Sequence, residues 1–279
     1  MYENTLDHFG ALARKKADLL NSSPTAFCIG SMMAGAYVGL GIILIFSVGA
    51  LVDPAWQKLI MGVSFGIALT LVVFAGAELF TGHTMYMTIG CKRGTTRISE
   101  LAGVWGVSWL FNLIGSITLA LLFIAGGGGV LTQEGAALLN KVASYKMNSG
   151  AIELVARGIL CNWLVCLALW MAARTQSDTT KAIVIFWCLF AFIASGYEHS
   201  VANMTLLSIA LLGEPISSVT VAGMTHNLGW VTLGNIIGGA LFMGIGYLQA
   251  SSKPQNQPTS FSAQVQTYKS VENDTAHPQ

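Results

Sequence analysis

The sequence predicts an all-α membrane protein whose six transmembrane helices form an inverted 3+3 repeat, with broken second and fifth helices. Hydrophobic residues make up 53% of the chain and charged residues only 10%, with a mean hydropathy of +0.62, whereas a soluble domain carries about 25% charged residues. Several uncharged stretches exceed the roughly 20 residues that cross a hydrocarbon core. Short polar insertions also interrupt two apolar runs at matching places in the two halves.

Six spans account for the apolar runs. They lie near residues 25–52, 57–91, 99–126, 151–173, 181–213 and 217–250. Residues 1–24 carry apolar side chains at helical spacing, which predicts a cytoplasmic amphipathic helix on the membrane surface; a short solvated helix is the alternative. Residues 251–279 have too few apolar residues to fold alone, so we expect a disordered cytoplasmic tail. The six-span transmembrane domain is therefore residues 25–250.

The distribution of Lys and Arg predicts the orientation. Ten of the 14 Lys and Arg residues lie on one side of the predicted spans, and Lys58, Lys141 and Lys146 lie on the other. Cytoplasmic loops carry the excess of positive charge, so both termini are predicted to be cytoplasmic. Because each half has three spans, the second half enters from the opposite side, and the repeat is inverted.

The second and fifth spans contain the polar insertions, 76–82 and 196–200. The apolar runs around them, 59–91 and 182–213, are 33 and 32 residues long. As a straight helix each would measure about 48 Å, against a hydrocarbon core of about 30 Å. We therefore predict helices that break within the bilayer, a pattern typical of a transport path. A single helix that projects into water is the alternative.

Other spacings also match between the halves. Asn-x-x-Gly pairs begin at Asn112 and Asn235, 123 positions apart, and the insertions contain Glu78 and Glu198, 120 positions apart. These distances indicate a duplicated chain. Spacings of the form G-x-x-x-G, which indicate close helix packing, occur at 35–39, 62–66 and 234–238.

Glu78 and Glu198 are the charged residues of the insertions. A helix break frees main-chain N–H and C=O groups, which in hydrocarbon must be satisfied by protein or by water in a cavity. We expect both carboxylates to accept hydrogen bonds from these N–H groups and so to support the breaks. A proton relay is the alternative.

His199 follows the second insertion and is the candidate for the centre of a pore. Histidine changes charge near physiological pH, so it could bond an anion, attract it when protonated, or pass it a proton. The alternative is a neutral histidine that bonds main-chain carbonyls. Thr81, at the corresponding break, could offer a hydroxyl opposite it, whereas His83 and His226 are interpreted as structural.

Three further polar residues are candidates for the lining of a path. Asn162 and Asn203 could donate amide hydrogen bonds to a passing oxyanion, or could join two helices. Lys146, on the predicted outer face with Lys58, could raise the local anion concentration. A side chain that simply reaches the interface is the ordinary alternative for both lysines.

Several classes of function lack their motifs. The sequence contains no G-x-x-x-x-G-K-[ST] phosphate loop, so ATP-driven pumping has no support. It contains neither H-E-x-x-H nor C-x-x-C-H, and its five cysteines are expected to be buried free thiols. A net charge of +1 offers no basic field for nucleic acid. We expect no enzyme activity, no metal and no cofactor.

Two segments carry a family resemblance. Residues 74–84 (FAGAELFTGHT) and 194–204 (ASGYEHSVANM) resemble the second-helix and fifth-helix motifs of the formate/nitrite transporter family. The resemblance covers roughly residues 5–250 and implies aquaporin-like protomers, each with its own pore, that form a homopentamer in the bacterial inner membrane. The pair at 82–83 departs from formate-channel members and favours the nitrite branch.

The resemblance also implies roles for individual residues. His199 and Thr81 would be the central polar pair of the pore. The inner constriction would contain Leu69, Leu79 and Phe80, the outer constriction Phe65 and Phe192, and the polar lining Asn162, Asn203 and Lys146.

The function predicted in this way is passage of nitrite, with formate or other small monovalent anions as further substrates. The anion would enter a vestibule near Lys146, lose water at an apolar ring, and be stabilised by the proton or charge of His199. An obligate proton-coupled formate or hydrosulfide symporter or exchanger is the alternative. A haem-binding redox subunit lacks paired histidines, and a non-transporting scaffold would require a sealed path. The expected partners are the anion, the lipid bilayer and further copies of the chain.

Overall fold

The computed structural model describes residues 2–133 and 135–251, and this part of the chain contains helices and no strand. The first half comprises α1 (Glu3–Ser22), α2 (Pro24–Ala50), α3 (Gln57–Ser64), α4 (Gly66–Ala75), α5 (Phe80–Arg93) and α6 (Ile98–Ala125). After a 3₁₀ turn (Gly129–Thr132) follow α7 (Ala136–Asn148), α8 (Ala151–Ala172), α9 (Asp178–Ala194), α10 (Ser200–Leu212) and α11 (Val221–Ile236). A π-helical segment (Ile237–Ile245) leads into α12 (Gly246–Ala250). Apart from Ser251, the predicted tail lies outside the described residues.

Helices long and apolar enough to cross a membrane confirm the all-α membrane class. Within the described residues there are five of them: Pro24–Ala50, Gln57–Ala75, Ile98–Ala125, Ala151–Ala172 and Val221–Ala250. The predicted span 181–213 is not among these, because it is divided between the shorter helices α9 and α10.

Helical structure stops and restarts at two matching places. Helix α4 ends at Ala75 and α5 begins at Phe80, while α9 ends at Ala194 and α10 begins at Ser200. Gly76 and Gly196 leave the preceding helices with φ of +76° and +74°. An L-residue with a side chain is strained in this left-handed conformation, so glycine ends both helices at little cost.

Close helix crossings occur in both halves, as the G-x-x-x-G spacings predict. A Cβ atom at Gly35 of α2 would overlap the main chain of Asn112 in α6, and one at Gly115 would overlap that of Met32 in α2. At Gly234 a Cβ would overlap the main chain of α8 in the same way. Small residues let the backbones approach each other, which replaces the hydrophobic driving force that lipid does not supply.

Helix α1 is attached to the protein. Its apolar face is buried, with Leu6 0% and Phe9 1% exposed, and the Phe9 ring lies between Tyr86 and Trp170 at centroid distances of 5.0 and 5.6 Å. Arg93 at the end of α5 also forms ion pairs with acidic residues of α1. Protein therefore covers this apolar face of α1, and the position of α1 relative to the membrane stays a prediction.

The α2–α6 crossing predicts different effects for two glycines of one helix. Gly115→Ala should lower the free energy of unfolding by about 1–3 kcal/mol, since the added methyl meets main chain that cannot yield without moving a helix. Gly106→Ala, whose methyl would meet nothing within 4 Å, should be neutral or slightly stabilising because alanine favours helix. Thermal unfolding in detergent, followed by circular dichroism, measures both. Equal midpoints for the two variants would contradict the close crossing.

Candidate functional site

Asn112 closes the first helix break. Its side-chain oxygen accepts the Phe80 N–H at 2.9 Å, and its Nδ2 donates to the carbonyls of Glu78 at 2.9 Å and Ser31 at 2.7 Å. Phe80 opens α5, so its N–H has no partner within the helix. One buried amide therefore satisfies main-chain groups on both sides of the break and ties them to α2.

Asn235 closes the second break in the same way. Its side-chain oxygen accepts the Ser200 N–H at 2.9 Å, and its Nδ2 donates to the carbonyls of Glu198 at 3.0 Å and Gly158 at 2.8 Å. Like Asn112, it is 0% exposed. The sequence prediction gave these two asparagines no role. Their matched Asn-x-x-Gly spacing was the available signal.

The Glu78 carboxylate bonds side chains. One oxygen lies 2.6 Å from Lys16 Nζ and the other 2.9 Å from His83 Nε2. The expectation that it accepts main-chain N–H groups is therefore wrong, because Asn112 already serves the first N–H of α5. Lys16, Glu78 and His83 are called the Glu78 cluster below.

Glu198 forms a matching cluster in the second half. Its Oε2 accepts hydrogen bonds from Lys146 Nζ at 2.8 Å and from Asn203 Nδ2 at 2.6 Å. Here too the carboxylate bonds side chains, while the Glu198 carbonyl is the group that Asn235 holds. Lys146, Glu198 and Asn203 are called the Glu198 cluster.

His199 and Thr81 lie between the two clusters. The His199 Nε2 is 3.2 Å from the Thr81 hydroxyl, and both residues are buried. The Nδ1 of His199 accepts the Ala202 N–H at 3.0 Å. Because a main-chain N–H can only donate, the neutral ring carries its proton on Nε2. His199 therefore presents an N–H donor toward Thr81.

Three cavities lie in a row along these residues. Cavity 1, about 590 Å³, is lined by the Glu78 cluster and by Leu69 and Leu79. Cavity 2, about 440 Å³, is lined by the Glu198 cluster and by Phe192 and His199. A central cavity of about 10 Å³ shares Leu69 and Leu79 with cavity 1 and Phe192 and His199 with cavity 2. The central cavity is thus linked to each wide cavity by two shared lining residues, and it is the smallest of the three.

The narrow part is apolar. Phe65 and Phe192 meet edge to face with ring centroids 5.6 Å apart, and both are at most 2% exposed. They line the central cavity with Leu69, Leu79 and His199. The side chains predicted for the constriction are thus together at one place, with the exception of Phe80.

Three predicted pore residues do not line any of these three cavities: Thr81, Phe80 and Asn162. Thr81 is buried, and its hydroxyl contacts His199, which lines the central cavity. Phe80 is buried, and its N–H is bonded to Asn112. Asn162 is 0% exposed, and its Nδ2 donates to the Asn235 carbonyl at 2.6 Å and to the Thr84 hydroxyl at 2.9 Å. The helix–helix alternative therefore describes Asn162, because its amide is used within the protein.

Charged side chains line both wide cavities, cavity 1 and cavity 2. Cavity 2 is lined by Lys58, Lys146 and Arg157, with Glu198 as the carboxylate of its wall. Cavity 1 is lined by Lys15, Lys16 and Lys181, with Glu78 as its carboxylate. In each case cations outnumber carboxylates, which favours anions. The sequence prediction did not assign Arg157; a charged residue inside an apolar span was the signal.

The chain matches the model of a known protein family. A family model described as "Formate/nitrite transporter" matches residues 3–249. The chain belongs to the formate/nitrite transporter family. The predicted resemblance is confirmed, and a chain of this family is a transporter, in agreement with the prediction that it is not an enzyme.

Relatives within the formate/nitrite transporter family are similar over most of their length. The nitrite transporter NirC of Salmonella typhimurium is 51% identical over 255 residues, which cover 91% of this chain and 94% of the relative. A solved structure described as an FNT family ion channel has a TM-score of 0.87 and 51% identity and covers 90% of this chain and all of the other. A solved structure described as a pentameric formate channel with formate bound has a TM-score of 0.71 and 28% identity. The match covers 83% of this chain and 98% of the other.

The role of Asn235 can be tested against a surface asparagine. Asn235→Ala should lower the free energy of unfolding by about 1–3 kcal/mol for each main-chain group that stays unpaired. Asn148, which also donates two main-chain hydrogen bonds but is exposed, is the matched control, because water can replace its amide. Thermal unfolding in detergent measures both variants. If Asn235→Ala loses no more stability than Asn148→Ala, the buried amide is not what closes the break.

Proposed function

We propose that the chain moves nitrite, and formate or other small monovalent anions, across the bacterial inner membrane. The path runs from cavity 2 through the central cavity to cavity 1. The observation that carries this proposal is the row of cavities that narrows at His199, whose Nε2 contacts the Thr81 hydroxyl. The 51% identity to a nitrite transporter supports nitrite as the first substrate to test.

The proposed architecture is a six-span inverted 3+3 repeat, aquaporin-like, with broken second and fifth helices and both termini cytoplasmic. The paired breaks at 76–79 and 195–199 support it, and so does the charge distribution along the chain. Residues 25–250 form the channel domain, 1–24 the cytoplasmic N-terminal helix and 251–279 the cytoplasmic tail. The similarity to a pentameric formate channel supports a homopentamer.

The geometry explains how an anion would be admitted. Lys58, Lys146 and Arg157 raise the anion concentration in cavity 2. An isolated charge in the apolar constriction would cost many kcal/mol. The Nε2–H of His199 and the Thr81 hydroxyl are the polar groups beside that constriction, so they would replace part of the hydration shell that the anion loses.

The remaining predicted residues receive distinct roles. Phe65, Leu69, Leu79 and Phe192 form the apolar constriction, and Asn203 contributes polar surface to cavity 2. Asn162 acts as a positioning residue, since its Nδ2 also reaches the Thr81 carbonyl at 3.2 Å. Phe80 starts α5, and Glu78 and Glu198 support the breaks through their lysine partners.

An obligate proton-coupled symporter or exchanger for formate or hydrosulfide is the second candidate. The observation that favours it is the hydrogen bond from Ala202 N–H to His199 Nδ1. This bond holds the ring neutral, so the constriction contains no positive charge to match an anion. A substrate that crosses with a proton would avoid the mismatch.

Removal of the central imidazole should slow transport. His199→Ala in proteoliposomes should lower the initial rate of nitrite uptake by about tenfold or more, because a hydrogen bond to a charged group is lost. His226→Ala is the matched control: His226 lies outside the three cavities, and its Nε2 bonds the Ser149 carbonyl. Unchanged uptake with unchanged pH dependence in His199→Ala would remove His199 from the mechanism.

A concentration jump separates the two candidate functions. Reconstituted protein on a supported membrane should give a transient current with the sign of inward negative charge when nitrite is added, because a channel passes the ion in charged form. Nitrite uptake is measured alongside, at two pH values. Persistent uptake without current would establish neutral transport with a proton, and the absence of both would contradict nitrite as the substrate.

A further inference from the structure

The Glu78 and Glu198 clusters differ at one chemically important position. In each cluster a lysine from a helix outside the breaks pairs with a glutamate, and the glutamate pairs with the residue five positions later. That residue is His83 in cavity 1 and Asn203 in cavity 2. The asparagine side chain of the Glu198 cluster does not titrate, whereas the histidine of the Glu78 cluster can bind a further proton.

The two buried histidines near the breaks are not equivalent as proton acceptors. His199 already uses Nδ1 to accept the Ala202 N–H, so a proton there would cost this bond. His83 uses Nε2 toward Glu78, and among the described residues its Nδ1 has no hydrogen-bond partner. Because His83 Nδ1 is buried, a proton there breaks no bond seen in the structure but adds an N–H without an acceptor; it also creates an imidazolium beside a carboxylate.

Some neighbours of His83 oppose its protonation and others favour it. Its ring lies over Phe27 of α2 at 5.8 Å and near Tyr86 at 6.1 Å, and the Trp105 side chain of α6 donates to its carbonyl. The titratable and charged groups that line cavity 1 with it are His8, Lys15, Lys16, Glu78, Tyr86 and Lys181. Burial and the lysines oppose a positive imidazole, whereas the contact with the Glu78 carboxylate stabilises it.

We propose that His83 is the proton-binding site of cavity 1 and makes transport respond to the pH on that side of the membrane. This inference rests on the proposed function for its effect on flux. A proton from water in cavity 1 binds the ring, and the Glu78 cluster changes from neutral to a net charge of +1. The added charge raises the anion concentration at the entrance of the constriction, and the proton returns to the same water when the pH rises.

Exchange of the one residue type that differs between the two clusters gives a pair of matched substitutions. His83→Asn gives the Glu78 cluster the same side chains as the Glu198 cluster, and Asn203→His makes the reverse change. Initial nitrite flux is measured in proteoliposomes of known protein orientation, with the pH varied on one side only. Passage of nitrous acid through lipid is equal for all variants, so the comparison between variants removes it.

For the unsubstituted chain, lowering the pH on the cavity 1 side until His83 is protonated should raise the flux about two- to fivefold beyond the lipid background, as expected for one added charge several ångströms from the anion. His83→Asn should transport nitrite without this increase. Asn203→His should acquire a similar response to the pH on the cavity 2 side. A His83→Asn protein that retains the full response would overturn the proposal.

A second measurement does not depend on transport. Solid-state NMR of protein labelled with ¹⁵N-histidine in lipid should show an imidazole that binds a proton as the pH is lowered and whose signal is absent from His83→Asn. If no such signal titrates, the proton site is wrong even when nitrite flux is normal. If the signal titrates and no nitrite is transported, the proposed function fails while the proton site stands.

Discussion

The architecture depends on the need to satisfy main-chain polar groups where helical structure stops, at 76–79 and 195–199. Hydrocarbon offers no hydrogen bonds, so each unpaired N–H or C=O costs several kcal/mol. Asn112 and Asn235 meet this need from neighbouring helices, each with one acceptor and two donated bonds. Because both amides also bond α2 or α8, they set where the short helices begin. His199 and Thr81 can meet only because these two starting points are held.

The charged clusters depend on helices that lie outside the broken segments. Lys16 comes from α1 and Lys146 from α7, and each reaches a glutamate at a break. Buried ion pairs contribute little net stability, because desolvation offsets much of their attraction. These two ion pairs instead fix positions. Each holds its lysine at the wall of a wide cavity and anchors the helix of that lysine beside the cavity. Removal of the glutamate would leave a partly buried, unpaired cation.

Much of this organisation was predictable from residue spacing. Composition and run length predict the membrane class, and the paired insertions locate the polar sites. The hydrogen-bond partners of these polar residues cannot be predicted in this way, because a bond between distant helices leaves no pattern in the local sequence. The expectation for the Glu78 carboxylate shows this cause: it was interpreted from its own segment, whereas its partner Lys16 lies 62 positions away. Asn162 likewise bonds the Thr81 carbonyl, 81 positions away. The contact of α1 with the protein was not predicted, because a sequence does not say which apolar surface covers another.

When the two halves are aligned at an offset of 120 positions, the residues that end and begin helices match, whereas some residues near the cavities differ. The glycines that end α4 and α9 correspond, as do the glutamates and the first residues of α5 and α10. Three pairs near the cavities do not correspond in character: Leu79 matches His199, His83 matches Asn203, and Thr81 matches Val201. The two halves therefore do not present the same surface to an anion. The first difference places an imidazole beside cavity 2 and the central cavity, and the second places a protonatable group in cavity 1. The duplication therefore accounts for the matched framework, and these positions account for the difference between its two ends.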